Sequence, residues 1–477
     1  MERNVKARKI LSLILALVLC LATFAGCGKS GGFADFEVPE EGFDTTTPIT
    51  IKFYHTMGAN LREVLDRYII EFNKLYPNIT IEHEQVGSYD DVRDQIKTEI
   101  TVGNQPNIAY CYPDHVALYN MAQAVQTLDS LIASDREVTR ADGTTESLGL
   151  TKAQIDDFIK GYYEEGKAFG DDRMYTLPLS KSTEVLYYNK TFFDKHNLQV
   201  PTTWDEMETL CQKIKAIDSD CIPLGYDSEA NWFITMCEQS GSDYTSAGDD
   251  HFIFDNDTNY AFVKRFRDWY QKGYVTTQEL SGGYTSELFT KKESEAGNSY
   301  MSIGSSAGAT HQRPDKVDEA YPFDVGIATI PQLNASAPKV ISQGPSLTIF
   351  KKSNPQEVMA SWLFVKYLTT CVEFQAEFSM ASGYIPVIKS VGENEVYKGE
   401  FLDKANGGDF ISALSAKVGL AQEAAYYTSP AFNGSSTARD QVGLLMQACL
   451  SEKMDDVDAG IKKAFADAIA ECEYQAG

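Results

Sequence analysis

Positively charged side chains are scarce in this chain of 477 residues. It carries 42 Lys and Arg against 68 Asp and Glu, which gives a formal net charge of −26. A nucleic-acid binder needs clustered Lys and Arg, and a protein that lies along an anionic membrane needs a basic face. The charge therefore argues against both classes. Proline and glycine, at 16 and 34 residues, are also too few for a fibrous or largely disordered chain. At roughly 100–200 residues per domain, the length predicts two or three domains.

The common motifs of cofactor and metal binding are missing too. Neither a Walker sequence nor GxGxxG occurs, so nucleotide binding has no support. The six histidines are scattered without HExxH, and the nine cysteines form no CxxC or Cys/His cluster with zinc spacing. We therefore expect no cofactor and no metal site. Cys211 and Cys221 are close enough in sequence for a local disulfide, and the pairing stays open.

The N-terminus has the pattern of a secretory signal. A basic start precedes an apolar run over 10–25, which is shorter than the roughly 20 residues of a membrane span. The run ends in the sequence FAGC, and small residues before a cysteine resemble a bacterial lipobox. We expect a lipoprotein signal peptide over 1–26, acylation of Cys27 and a flexible tether over 27–47. The alternative is a plain signal peptide that is cut nearby.

Strand and helix patterns alternate after the tether. Residues 49–54 alternate between apolar and polar as a strand does, and apolar residues over 61–75 recur at helical spacing. A second strand over 79–86 and a second helix over about 89–102 follow. This alternation predicts an α/β domain with a mainly parallel sheet.

One segment resembles a hydrolase motif. Gly304 to Gly308 reads GSSAG and matches the GxSxG nucleophile elbow of α/β-hydrolases. The elbow requires an acid and then a histidine later in the chain, but His311 is the only histidine beyond Ser306 and no acid lies between them. We interpret the segment as a turn after a strand, whose backbone N–H groups can bind a ligand oxygen. A glycosidase stays open, because the 68 carboxylates offer many pairs and none is singled out.

Aromatic residues stand beside polar turn residues at four places. These are Tyr54-His55, Tyr89, Trp232 and Tyr384. An aromatic ring can cover the C–H face of a polyol while neighbouring polar groups bind its hydroxyls. A place in the core is equally compatible with the sequence around each ring.

Several segments together resemble one known family. LPLSKSTEVLYYNK from Leu177 and PTTWDEM from Pro201 look like the extracellular solute-binding proteins of ABC importers, the family-1 type similar to maltose-binding protein. FYHTM from Phe53, YMSIGSSAGA from Tyr300 and ISQGPSLTIFKKSNPQEV from Ile341 agree in order and spacing. The resemblance covers about residues 48–470, and the lipobox agrees with it independently.

The resemblance implies an α/β, two-lobed periplasmic-binding-protein-like fold of type II. Its ligand cleft lies between two lobes joined by a hinge of several segments. By the match, lobe 1 comprises 48–180 and 304–350, and lobe 2 comprises 181–303 and 351–477. The crossings fall near 179–184, 301–304 and 349–353.

The function implied is that of a lipid-anchored, non-enzymatic receptor on the extracytoplasmic face of the bacterial cell membrane. As a monomer it would capture a small polar solute for ABC permease subunits, without a nucleic-acid partner. The alternative from a different class is a secreted hydrolase that acts on sugars or their phosphate esters.

Several positions look most like those of the glycerol-3-phosphate-binding members of the family. Arg439 matches a phosphate-contacting arginine, and a bidentate guanidinium suits a phosphate, although Arg439 could instead pair with a surface carboxylate. The implied ligand is a carbohydrate or a polyol phosphate such as glycerol-3-phosphate, with oligosaccharide, monosaccharide and glycerol phosphate all open. The residues expected at the ligand are Tyr54, His55, Tyr89, Asp114, Ser182, Trp232, Ser305, Ser306, Gly344, Tyr384 and Arg439.

Overall fold

The computed structural model describes residues 36–246, 248 and 250–476. The expected signal peptide over 1–26 and the expected lipid site at Cys27 lie outside these residues. The strands, in chain order, are β1 (Ile49–His55), β2 (Ile79–Gln85), β3 (Ile108–Cys111), β4 (Glu137–Thr139), β5 (Thr145–Ser147), β6 (Thr176–Pro178), β7 (Ser182–Asn189), β8 (Leu224–Tyr226), β9 (Val275–Thr277), β10 (Met301–Ser305), β11 (Val325–Ala328), β12 (Val340–Gln343), β13 (Ser346–Ile349) and β14 (Tyr426–Tyr427). The α-helices are α1 (Ala59–Leu75), α2 (Tyr89–Ile100), α3 (Pro113–Asn120), α4 (Asp129–Ile132), α5 (Lys152–Asp157), α6 (Lys160–Glu165), α7 (Lys190–His196), α8 (Trp204–Ile217), α9 (Glu229–Ser240), α10 (Asp257–Gln271), α11 (Gln278–Ser281), α12 (Ser286–Phe289), α13 (Pro355–Thr370), α14 (Val372–Ser382), α15 (Ile411–Ala421), α16 (Ser435–Ser451) and α17 (Val457–Ala476).

The first sheet contains the strands of the N-terminal region, where strands and helices alternate along the chain. Its strand order is β2-β1-β3-β13-β6, with β1 parallel to β2 and β3, and β13 antiparallel to β3 and β6. The first four residues of β1 point in turn to the core and to solvent, and its last three are all buried. Helix α1 packs its apolar stripe into the same core. The predicted α/β class is confirmed, but the sheet is mixed and not mainly parallel, because two of its four strand pairings are antiparallel.

The second sheet has the order β14-β12-β7-β10-β8-β9, and β11 also pairs with β7. Its core is rich in aromatic rings that α8, α9 and α10 supply, among them Trp204, Trp232 and Trp269. Helix α8 begins at the predicted capping box, in which the Thr203 hydroxyl accepts from the Glu206 N–H at 3.2 Å.

The chain crosses between the sheets at 179–181, between β6 and β7, and again at 344–345, between β12 and β13, and it returns to the second sheet between α14 and β14. We call the first two crossing segments the hinge. Strands β10, β11 and β12 lie in the second sheet, whereas α13 and α14 pack into the core of the first.

The structure therefore corrects two of the expected lobe boundaries. Residues 304–343 belong with the second sheet because β10, β11 and β12 all pair with β7. Residues from 351 to about 405 belong with the first sheet, because their apolar side chains pack there. Below, the first lobe means 36–180 and 345–405, and the second lobe means 181–344 and 406–476.

Residues 36–47 pack on the first lobe instead of forming the expected flexible tether. Phe36, Val38 and Phe43 contact its core. Gln356 fixes the segment at two points: its side-chain oxygen accepts from the Asp44 N–H at 2.8 Å, and its amide donates to the Gly42 carbonyl at 2.9 Å. The apolar residues of this segment explain the difference, because burying them offsets the entropy of ordering.

All seven cysteines of the described residues are free thiols. The disulfide considered for Cys211 and Cys221 is therefore not formed, and the Cys221 thiol donates to the Asp218 carbonyl at 3.1 Å. A search of the described residues for a helix long and apolar enough to cross a membrane finds none.

Candidate functional site

A cavity of about 290 Å³ opens between the two lobes. The first lobe supplies Asp90, the turn 112–115 and Glu165, and the second supplies 341–344 and residues near the start of α16. Because Gly344 also belongs to the hinge, the cavity lies at the junction of the two lobes.

Four residues that line the cavity each carry a buried polar atom with no hydrogen-bond partner among the described residues. The atoms are His115 Nδ1 of the first lobe, and Tyr244 Oη, Thr245 Oγ1 and Ser342 Oγ of the second. We call them the unpartnered polar atoms. His115, Tyr244 and Ser342 are only 3%, 6% and 5% exposed. A buried polar group without a partner costs about 1–3 kcal/mol, and a polar ligand in the cavity would remove that cost.

Arg439 lines the cavity from within α16. Its guanidinium donates to Asn231 Oδ1, so its partner in the structure is an amide, whereas the sequence also allowed a surface carboxylate. Asn231 Nδ2 in turn donates to Glu184 Oε1 and to Gln343 Oε1, both at 2.9 Å. This network holds the guanidinium at the cavity.

Glu184, which is linked to Arg439 through Asn231, is 1% exposed. The Tyr226 hydroxyl donates to its Oε2 at 2.5 Å. Burial raises the pKa of Glu184 to about 7, although the hydrogen bonds from Tyr226 and Asn231 oppose the change. Sequence reasoning missed Glu184 and Asn231. The available signal was a carboxylate inside β7, a strand that is otherwise almost wholly buried.

A buried ion pair joins the cavity to the hinge. Lys181, which is 0% exposed, pairs with Glu165 and also donates to the Gly344 carbonyl at 2.8 Å and to Ser346 Oγ at 3.0 Å. Glu165 lines the cavity. The ammonium therefore ties both crossing segments to α6.

Gly344 must be glycine for two reasons. Its φ is +112°, and a Cβ at this position would lie 2.7 Å from the Ser180 carbonyl oxygen. The two crossing segments therefore approach each other more closely than any side chain permits. Ser182 pairs by its backbone with Gln343 in the same region, and the structure places it beside the hinge and not on the cavity wall.

Two of the predicted aromatic residues gather beside the cavity. The ring of Tyr89 lies 4.5 Å from that of Tyr112, and the hydroxyls of Tyr89 and Tyr384 are 3.5 Å apart. Tyr112 itself lines the cavity. The sequence analysis did not include Tyr112, although Tyr112 lies two residues before the predicted Asp114.

Trp232 belongs to the core, which corrects the expectation that it lines the cleft. It is 0% exposed, its ring stacks on Tyr226 with centroids 5.0 Å apart, and it lies 4.1 Å from the Phe266 ring. Its chain neighbour Asn231 faces the cavity network instead.

The two serines of the GxSxG segment also lie away from the cavity wall. Ser306 is 0% exposed and its hydroxyl accepts from the Thr183 N–H at 3.2 Å. Ser305 caps the following turn by accepting from the Ala307 N–H at 3.3 Å. Both hydroxyls stabilise the fold, which corrects their expected place at the ligand.

Tyr54 and His55 end β1 inside the first lobe, and this too corrects the expectation. The Tyr54 hydroxyl donates to Glu99 at 3.3 Å. His55 Nδ1 accepts from the Met57 N–H at 3.1 Å, so its Nε2 donates to His83 at 2.8 Å. Burial lowers the pKa of His55 to about 3, and the ring is neutral.

Of the eleven predicted residues, the cavity wall contains Asp114, Gly344 and Arg439. Asp114 stands in the first turn of α3, where the helix N-terminus favours a carboxylate. Within the described part of the chain, no group of three or more His, Cys, Asp or Glu side chains is placed to hold a metal ion.

Comparison with known proteins identifies the family. Residues 67–406 match the bacterial extracellular solute-binding proteins. This chain belongs to that family. It is 24% identical over 381 residues to the sn-glycerol-3-phosphate-binding periplasmic protein UgpB of Salmonella typhimurium, which covers 76% of this chain and 80% of that protein.

Solved structures show the same two-lobed fold. UgpB from Mycobacterium tuberculosis, in complex with glycerophosphocholine, superposes with a TM-score of 0.68 at 18% identity and covers 90% of this chain and 98% of its own. The sugar-binding protein MalE from Xanthomonas citri gives 0.69 at 17% identity, with 89% and 98% covered. The predicted family and fold class are confirmed. Members of this solute-binding family are binding proteins, so the hydrolase alternative is not favoured.

Proposed function

We propose that the cavity captures a carbohydrate or a polyol phosphate, such as glycerol-3-phosphate, and that the protein delivers it unaltered to the permease subunits of an ABC importer. One observation carries the proposal: residues of both lobes that carry unpartnered polar atoms line the same cavity. A solute that hydrogen-bonds to both sets stabilises the arrangement in which the lobes are close, and so couples binding to closure.

The chemistry of the wall supports a hydroxyl-rich ligand. Tyr112 and Tyr244 offer ring surfaces, while Ser342 and Thr245 offer hydroxyls that can donate and accept. Arg439 adds a guanidinium for a phosphate. The relative named for sn-glycerol-3-phosphate binding supports the polyol phosphate as one of the two ligand classes.

The same residues support a receptor that carries out no reaction. The serine of the GxSxG segment is buried and already hydrogen-bonded to the backbone of β7, so its hydroxyl is not presented to a substrate. Capture and release need contacts and a hinge, and both are present at the cavity.

A lipid at Cys27 would hold the receptor at the extracytoplasmic face of the cell membrane as a monomer. Replacing Cys27 by Ser should release the protein into the medium and abolish incorporation of labelled fatty acid. Retention of the Cys27→Ser variant in the membrane fraction would contradict the lipid anchor. The proposal about the ligand does not depend on this result.

A thermal-shift screen of sugars and glycerol phosphates tests the ligand. At 100 times its dissociation constant, a ligand that binds only the folded protein adds about 2.7 kcal/mol of stability. The bound solute should be recovered intact by mass spectrometry, and small-angle scattering should show a more compact particle. Turnover of the solute would contradict the receptor role, and the absence of a shift with every member of both ligand classes would contradict the proposed ligand.

Two matched variants locate the binding to the cavity. Tyr244→Phe removes one unpartnered hydroxyl, so affinity should fall about tenfold while the stability of the free protein is unchanged or slightly higher. Tyr474→Phe removes a hydroxyl from a ring that is 81% exposed on α17, and it should change neither quantity. Equal affinities of the two variants would place the ligand elsewhere.

Arg439→Ala separates the two ligand classes. Loss of the guanidinium should abolish binding of a phosphorylated solute, because the phosphate loses its charge-assisted hydrogen bonds, and should affect a neutral sugar much less. Calorimetric titration of both solutes measures the difference. Unchanged affinity for the phosphorylated solute would remove the polyol phosphate from the proposal.

A further inference from the structure

One amide links a buried carboxylate to the guanidinium on the cavity wall. Glu184 is 1% exposed and lies outside the described residues that line the cavity, whereas Arg439 lines it. Asn231 joins the two: its Nδ2 donates to Glu184 Oε1 at 2.9 Å, and its Oδ1 accepts from the guanidinium. The amide dipole therefore has its positive end at the carboxylate and its negative end at the guanidinium, and the two bonds strengthen each other. A change in the charge of Glu184 therefore changes the electrostatic potential at Arg439.

The ionisable groups that face the Glu184 carboxylate come from three elements. They are Tyr226 of β8 with Asp227 directly after it, Arg439 of α16 and Tyr427 of β14. Burial raises the pKa of Glu184 to about 7; the hydrogen bonds from Tyr226 and Asn231 and the charge of Arg439 oppose the rise, and the charge of Asp227 adds to it. Glu184 therefore exchanges its proton near neutral pH, and Arg439 is the cation among these groups.

Arg439 keeps donors for a ligand while it is bonded to Asn231. A guanidinium has five N–H groups, and the bond to Asn231 uses Nη2. An anionic group of a solute that binds the other N–H groups brings a negative charge close to the linked side chains of Arg439, Asn231 and Glu184. This charge disfavours the ionised form of Glu184, whereas the protonated form carries no charge to be repelled. The anion and the proton therefore increase each other's affinity, because such linkage is reciprocal.

We propose, building on the proposed function, that Glu184 is a positioning residue of the cavity that takes up a proton from the solvent when an anionic solute binds to Arg439 and releases it when the solute leaves. The proton forms an O–H bond at one carboxylate oxygen, and Arg439 stays charged throughout. The proton offsets the charge that the solute brings into the cavity. Affinity for an anionic solute therefore rises as the pH falls, whereas a neutral sugar causes no proton uptake at Glu184.

Glu184→Gln separates this role from a merely structural one. Glutamine has an acceptor group and a donor group, as a protonated glutamate has, so the variant mimics the protonated state at every pH. If the charge of the solute changes the proton affinity of Glu184 about tenfold, the variant should bind glycerol-3-phosphate about fivefold more tightly than the wild type at pH 8 and about equally at pH 6. A residue that only stabilised the fold would instead give a variant that binds more weakly.

Calorimetric titration measures the proton directly. Titrations at pH 7 in two buffers with different ionisation enthalpies give the number of protons taken up per solute bound. The wild type should take up about 0.4 proton more than Glu184→Gln when glycerol-3-phosphate binds. Protonation of the solute itself is common to both proteins and cancels in the difference. With maltose as the neutral probe, the two proteins should take up the same number of protons.

Two further variants complete the test. Glu229→Gln is the matched control, because Glu229 is also a buried carboxylate, 6% exposed, and accepts from the Glu279 N–H at 3.2 Å. It should bind glycerol-3-phosphate as the wild type does at both pH values. Arg439→Gln tests the link in the free protein: the guanidinium lowers the pKa of Glu184, so its removal should move the titration of the carboxyl group to higher pH. Infrared spectroscopy detects this carboxyl group as the band that Glu184→Gln lacks, and circular dichroism checks that each variant is folded.

The opposite results overturn the inference, each in a different way. Equal affinities of the wild type and Glu184→Gln for glycerol-3-phosphate at pH 8 would show that the charge of Glu184 does not reach the ligand. The same extra proton uptake with maltose would assign it to closure of the lobes and not to the charge of the solute. If only neutral sugars bind, the inference falls and the proposed function stands. If no solute of the thermal-shift screen binds, the proposed function falls, and the carboxyl titration in Arg439→Gln decides the link by itself.

Discussion

Replacing Lys181 by Met would leave a buried carboxylate without its counter-charge. Lys181 and Glu165 are 0% and 5% exposed, and the ammonium also donates to the Gly344 carbonyl and to Ser346 Oγ. Met has a similar length and volume, so the loss of packing is small. Breaking one partner of a buried pair costs about 3–5 kcal/mol because the remaining charge is uncompensated. We expect Lys181→Met to lower the free energy of unfolding by that amount.

Urea unfolding, followed by tryptophan fluorescence and far-UV circular dichroism, measures the loss. The double variant Lys181→Met/Glu165→Gln should recover at least half of it, because no charge is left buried. Lys463→Met is the matched control, since its ion pair with Asp467 lies on the surface and should contribute little. If Lys181→Met costs no more than Lys463→Met, or if the double variant is worse than the single one, the reasoning about this pair is refuted.

Three other substitutions test individual features of the structure. Glu184 has a folded-state pKa of about 7, above the ordinary glutamate value of 4.5, so its contribution to stability is fully present below pH 4.5 and is lost as the pH rises through 7. The wild type should lose roughly 2–3 kcal/mol more than Glu184→Gln between pH 5 and pH 8, and equal pH slopes in urea titrations would contradict this. Gly344→Ala should lower the free energy of unfolding by more than the roughly 1–2 kcal/mol that a positive φ alone costs. Gly143→Ala, with φ +84° and open space at its Cβ, should lower it only by that amount. Equal losses in thermal unfolding would show that the close approach of Gly344 to Ser180 adds no cost. Trp232→Ala should destabilise the second lobe by about 3–5 kcal/mol, and a variant that lost ligand affinity at full stability would return Trp232 to the cavity.

Local patterns predicted the N-terminal elements well. The expected strands and helices over 49–54, 61–75, 79–86 and 89–102 match β1, α1, β2 and α2 to within about two residues. Side chains three or four residues apart, or two apart in a strand, meet the same environment, so the period of the sequence reports each element directly.

The lobe boundaries depend on pairings that such patterns do not contain. Strands β10, β11 and β12 all join β7, which precedes them by more than a hundred residues. The sequence pattern of a strand with apolar residues on both faces is compatible with either sheet. Only the strand with which it pairs determines the lobe to which it belongs. The expected boundaries failed at those strands and at the helices α13 and α14 that follow them.

Prediction of the site failed at a finer scale, that of side-chain direction. Asn231 and Trp232 are neighbours in α9, and consecutive residues of a helix point about 100° apart. The asparagine therefore reaches the cavity network while the tryptophan enters the core. The sequence therefore located the right helical turn, but it indicated Trp232 as the cavity residue where Asn231 joins the cavity network.

One short segment of chain, 342–344, both lines the cavity and enters the hinge. Ser342 presents an unpartnered hydroxyl, Gln343 accepts from Asn231, and Gly344 makes the crossing. Asn231 in turn accepts from Arg439, so a hydrogen-bonded chain runs from the cavity wall to the crossing. The guanidinium of Arg439 donates to Asn231 through Nη2, and its other N–H groups can bind a ligand while Asn231 stays bonded to Gln343. A variant at the crossing therefore has to be assayed for both affinity and compactness before either effect is assigned to it.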